Sequence, residues 1–100
     1  MSPVMKPAAF ATESALRAQL EREGLHPTRW DNGPHAVYAV HDHPYGKVLV
    51  VVSGQITFSV DGGKRVVPMQ PGDRLTLPPR TPHSAVVGAA GVVCLEAHTE

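Results

Sequence analysis

Ten prolines and nine glycines punctuate this chain of 100 residues, and between them lie short runs rich in β-branched residues. Breakers at that density leave little room for long helices and divide the chain into short extended segments. From Leu25 onward the segments can be read in order. "TRWDNGPHAVYAVH" holds a turn at Asp31-Asn32-Gly33-Pro34 between two extended pieces. "KVLVVVSG" is a continuous apolar run, the pattern of a strand buried on both faces. "QITFSV" alternates strictly, which turns Ile56, Phe58 and Val60 inward. Asp61-Gly62-Gly63 makes a hairpin, and "KRVVPM" follows it. A turn at Gln70-Pro71-Gly72-Asp73 leads to "RLTLP" and the corner "PPRTPH". "SAVVG" and "GVVCLEAH", split by Gly88-Ala89-Ala90-Gly91, complete about eight strands. The pattern predicts an all-β sandwich or small barrel.

The exception lies at the N-terminus. "TESALRAQLEREGL" predicts one helix over residues 12–24. Thr12 is placed to cap it, Glu13 suits the positive end of the helix dipole, and Leu16 and Leu20 share a face. Gly24 is a stop signal with Leu25 packing back. The expected organisation is an arm at residues 1–11, a docking helix at 12–24 and a barrel domain at 25–100. An arm without a partner inside its own domain points to a homodimer.

Acidic and basic residues balance at nine each. No basic surface is on offer to a phosphate backbone, so no nucleic-acid partner is expected. The segment "MSPVMKPAAFATES" lacks the apolar core of a signal peptide, and no run is long enough to span a bilayer. The expectation is a cytoplasmic protein with no membrane partner. The single Cys94 excludes an internal disulfide.

The chemistry concentrates in the histidines. His41 and His43 are two apart, so on a strand both leave the same face. His83 follows a proline-rich corner some forty residues later. Three imidazoles from two distant strands suit a late first-row divalent metal and leave coordination positions open. His-x-His on an exposed strand end is also commonly just solvated. His35 shares strand parity with His41, while His26 and His98 read as surface residues.

The spacing around these residues resembles a known family. "HDHPYGKVLVVVSG" is similar to the first cupin motif, with His41, His43 and Gly54 on its histidine and glycine positions and Lys47 where a glutamate is usual. "GDRLTLPPRTPH" is similar to the second motif, with Gly72, Pro78 and His83 in place. Arg80 stands where a glycine is usual, and Val87 where an asparagine is. The resemblance covers residues 33–98. It implies a double-stranded β-helix, or jelly-roll, barrel with His41, His43 and His83 as ligands of a divalent transition metal (Fe, Zn, Ni, Mn or Cu). The Arg80 departure is expected to be harmless if the backbone there needs no positive φ.

Lys47 departs where it matters, because an ammonium is no ligand and repels a dication. It can pair with a carboxylate, for which Glu96 on the last strand is the candidate. It can line an all-histidine centre and hold an anionic substrate, or it can mark a metal-free pocket for an anionic small molecule. Tyr45, Lys47, Cys94 and Glu96 are the expected pocket-lining residues, although a cysteine on a strand is more often a small buried hydrophobe. Two functions follow from the resemblance. One is a metal-binding cupin with a small-molecule pocket, such as a three-histidine oxygenase or isomerase. The other is a non-catalytic binding or sensing module, metal-free or weakly metal-binding.

Overall fold

A computed structural model describes residues 12–99; the expected arm lies outside them. Helix α1 (Glu13–Arg22) is followed by strands β1 (Thr28–Asn32), β2 (Val37–His41), β3 (Gly46–Val60), β4 (Arg65–Met69), β5 (Arg74–Leu77) and β6 (His83–Thr99). All strand pairs are antiparallel.

The eight expected segments are present, but six strands carry them. "KVLVVVSG" and "QITFSV" are two halves of β3, and the two segments beside Gly88–Gly91 are halves of β6. Each of these long strands serves two sheets. The first half of β3 pairs with β5 and with the second half of β6, which in turn pairs with β1. The second half of β3 pairs with β4 and with the first half of β6, which pairs with β2. The result is a jelly roll of two four-stranded halves.

The crossing point explains why glycine does not break these strands. The β3–β6 register shifts between Val51 and Ser53 and again between Gly54 and Ile56, marking bulges that bend the pair from one half into the other. Gly54 and Gly91 both take φ 76°. A Cβ on Gly54 would lie 2.0 Å from the carbonyl oxygen of Gly91. Only a glycine lets the two backbones approach so closely.

The inner faces form one core, built on Leu49, Val51, Ile56, Phe58, Val60, Met69, Leu75, Leu77, Ala85, Val87, Val92 and Cys94. Val86 points outward and is exposed, so the run Ser84–Val87 is core only at Ala85 and Val87. "KVLVVVSG" is buried on both faces for a specific reason. Leu49 and Val51 point into the barrel, while Val48 and Val50 join Leu95, Leu16 and Leu20 in a second cluster under the helix. Burying Leu20, which is 1% exposed, contributes about 2 kcal/mol.

The helix termini follow the sequence. Thr12 Oγ1 accepts from the Ala15 N–H at 3.1 Å. At the other end the Leu25 and Gly24 N–H groups donate to the carbonyls of Leu20 and Glu21, a Schellman closure that needs the φ of 83° at Gly24. Arg74 on β5 grips Glu23 with two hydrogen bonds of 2.8 and 2.6 Å, and this pair holds the Glu23 carboxyl down to about 2.

Candidate metal centre

His41 ends β2 and His83 begins β6, and the two are direct cross-strand partners. Their ring centroids are 4.3 Å apart. His43 lies two residues past the strand, with its ring 4.9 Å from His41 and 5.6 Å from His83. The corner of the second motif fixes it there, because the Arg80 N–H donates to the His43 carbonyl at 2.6 Å. Arg80 does adopt positive φ, 59°. The condition for a harmless departure is therefore not met: the backbone at Arg80 is left-handed, and the position is held by a side chain that prefers other backbone angles.

One nitrogen from each histidine lies within 4.8 Å of the others, a spacing that side-chain rotation can close to bonds of about 2.0–2.2 Å. The hydrogen bonds orient two of the rings. His41 Nδ1 contacts the Ala39 carbonyl at 2.7 Å and His83 Nδ1 contacts the Thr81 carbonyl at 2.9 Å. A carbonyl only accepts, so each Nδ1 carries the proton and each Nε2 presents a lone pair. His43 Nε2 is buried and has no hydrogen-bond partner among the described residues. A buried orphan nitrogen beside two aimed lone pairs is a donor set that fits a divalent ion. Burial, and after it the charge on Lys47, push the His43 pKa down; burial lowers that of His83. Both shifts favour the neutral imidazole that a metal requires.

The three histidines line a cavity of about 390 Å³. Tyr45, Lys47 and Glu96 line it too. Cys94 does not. It is fully buried in the core behind the wall, and burial pushes its thiol up to about 12, which leaves a small inert hydrophobe. Lys47 Nζ lies 3.1 Å from Glu96 Oε1. The same oxygen accepts from Trp30 Nε1 at 3.1 Å.

Trp30 and Tyr38 were not legible as cavity residues. They meet edge to face at 5.7 Å, and Asn32 Nδ2 donates to the Tyr38 hydroxyl at 2.8 Å. Four of the chain's five aromatic residues, Trp30, Tyr38, Tyr45 and Phe58, line the cavity. His98 is exposed, yet its ring stacks on Tyr45 at 3.9 Å, and Tyr45 in turn stacks on His43 at 5.0 Å. His35 sits in an exposed turn at φ 62° and takes no part.

Fold and site together define a small jelly-roll barrel with a histidine cluster facing an apolar-walled cavity. The cupin domain family matches residues 29–95, and the chain belongs to that family. No curated protein matches the sequence. Among solved structures the chain is similar to a DMSP lyase, at 24% identity and a TM-score of 0.70, covering 76% of this chain and 38% of that one. It is also similar to an RmlC-like cupin from Shewanella frigidimarina, at 26% identity and 0.64, covering 76% and 67%. A third likeness is to Bacillus subtilis oxalate decarboxylase with its Mn(II) centres, at 19% and 0.68, covering 76% and 21%. The chain thus spans well under half of the DMSP lyase and decarboxylase chains, and these two likenesses concern the fold.

Proposed function

We propose that this chain is a metal-binding cupin in which His41, His43 and His83 hold a divalent transition ion at the polar end of a small-molecule cavity. The observation that carries the reading is the donor set: two imidazoles with Nδ1 committed to carbonyls and a third with a buried, unpartnered Nε2. A bound ion would supply Lewis acidity and coordination positions for a ligand oxygen. Leu49, Ile56, Phe58 and Ala85 line the cavity and offer a ligand apolar contact. Tyr45 braces the His43 ring by stacking on it. Glu96 keeps Lys47 from standing as an uncompensated charge beside the ion. Oxygenase and isomerase chemistry both suit such a centre. Mn(II) is the ion of one structural neighbour, but three imidazoles accept Fe, Ni, Cu and Zn equally in kind.

The Lys47–Glu96 pair favours a second reading, a binding or sensing module that turns nothing over, because the first motif contributes no carboxylate to the ion. Metal analysis of protein purified without a histidine tag tests the centre. One equivalent of metal in wild type, lost in His83→Ala, is the expected result; metal-free wild type that takes up no added ion overturns it. Metal-dependent turnover or oxygen uptake then separates the enzyme from the module. The homodimer belongs to the same reading. Val37 and Val86, cross-strand partners on the outer face, are both exposed and offer an apolar surface for a second copy. Sedimentation equilibrium tests it. No helix among the described residues is long and apolar enough to cross a membrane.

A further inference from the structure

Lys47 is the cation of the cavity that the histidine cluster does not explain. Its side chain is 12% exposed, on a wall that carries Glu96 and Asp31, the latter paired with Arg29, beside apolar and aromatic groups. An ammonium carries three N–H donors. Its charge is paired with Glu96 Oε1, and the structure shows no other partner for Lys47 among the described residues. Glu96 is itself held: its Oε1 also accepts from the Trp30 indole, and Oε2 lies 4.0 Å from His98 Nε2. The carboxylate therefore serves as a fixed anchor that sets the position of the ammonium. The ammonium lines the cavity, so a ligand there can supply further acceptors to it.

The remaining surface states what the ligand's other end looks like. Leu49, Ile56, Phe58, Tyr38 and Ala85 offer contact area and little hydrogen bonding. A cavity of about 390 Å³ is at the small end of ligand pockets. We infer that the ligand is a small monocarboxylic acid with an apolar body, its carboxylate accepting hydrogen bonds from Lys47 Nζ. A carboxylate suits better than a neutral carbonyl because hydrogen bonds between ionised partners are roughly twice as strong. It suits better than a phosphate because Glu96, beside Lys47, repels a second negative charge. This inference rests on the small-molecule cavity of the proposed function, and Lys47 recognises the acid whether or not an ion is bound.

The test titrates straight-chain and aromatic acids of four to eight carbons, each paired with its primary amide, into metal-free and Zn(II)-loaded protein by calorimetry. Wild type should bind at least one acid at least tenfold more tightly than its amide. Lys47→Gln, one atom shorter but still carrying a donor group without the charge, should weaken that acid about tenfold and leave the amide unchanged. Because the removed lysine also leaves Glu96 unpaired, Lys47→Gln/Glu96→Gln is measured alongside; it should show the same loss for the acid with the melting temperature restored. Equal binding of acid and amide, no binding by any acid, or full acid affinity in both variants overturns the inference. Protein that takes up no Zn(II) yet binds an acid through Lys47 removes the metal reading and upholds this one.

Discussion

Lys47 Nζ lies 3.1 Å from Glu96 Oε1, so the cation beside the histidine cluster is answered by a carboxylate from the last strand. The two side chains are adjacent because β3 and β6 run antiparallel with Lys47 opposite His98 and Leu49 opposite Glu96. The pair is neutral as a unit. That neutrality makes a basic residue tolerable on the wall of a candidate metal cavity.

Lys47→Glu should tighten divalent metal binding. At ~5 Å and an effective dielectric of ~20, charges of +1 and +2 repel by roughly 6–7 kcal/mol. Glu96 offsets most of this in the wild type, so the expected gain is about ten- to a hundredfold, not the full figure. The same change sets two carboxylates against each other, so the metal-free variant should melt lower than wild type and recover on metal addition. A competitive chelator titration and paired thermal melts check both effects. Unchanged affinity would show that position 47 does not act on the ion.

His83→Ala should abolish stoichiometric metal binding and keep the barrel. His83 is 4% exposed, so the deletion leaves a cavity and costs about 2–4 kcal/mol. Far-UV circular dichroism should be unchanged while the metal content falls to background. Loss of the β spectrum together with the metal would make His83 a folding residue instead.

Arg80→Gly should stabilise the protein. A non-glycine residue at φ 59° pays about 1–2 kcal/mol for left-handed geometry, and glycine gives back roughly 0.5–1 kcal/mol through unfolded-state entropy. The net gain expected from urea denaturation is about 0.5–1 kcal/mol, with the Arg80–His43 backbone hydrogen bond kept. Destabilisation would mean that the Arg80 side chain makes up for its backbone.

Removing residues 1–24 should destabilise the barrel, because it uncovers Val48, Val50 and Leu95 on the outer face. Leu20→Ala isolates the effect without truncation and should cost about 2–4 kcal/mol in urea denaturation. An unchanged midpoint in both variants would contradict docking.

Metal-free protein should lose stability as pH falls from 7.5 to 5.5. His43 and His83 have folded-state pKa values below the ordinary imidazole value of 6.5. Below pH 6.5 the unfolded chain therefore binds protons that the folded chain refuses, and stability falls with pH until the folded-state pKa values are passed. Above 6.5 both states are neutral at these rings and the contribution is whole. Urea midpoints at the two pH values check it, with a His43→Gln/His83→Gln variant expected to flatten the dependence.

Local signals in the sequence were enough to determine the helix with both its caps, the inward set Ile56, Phe58 and Val60, and the three histidines. Helix caps and strand alternation depend on neighbours within a few residues, so they are legible without the fold. Motif spacing also placed His41, His43 and His83 on one cluster. The tertiary structure decided the rest. It made two long strands out of four expected ones, because Gly54 and Gly91 bend β3 and β6 past each other where a single chain shows only a breaker. It put Cys94 behind the cavity wall and drew Trp30 and Tyr38 onto it. It required of Arg80 a φ that its side chain disfavours. These outcomes depend on which backbone lies opposite, often sixty or more residues away, as Trp30 lies from Glu96. The sequence names the residues on each strand, but only cross-strand register decides which of them share a cavity.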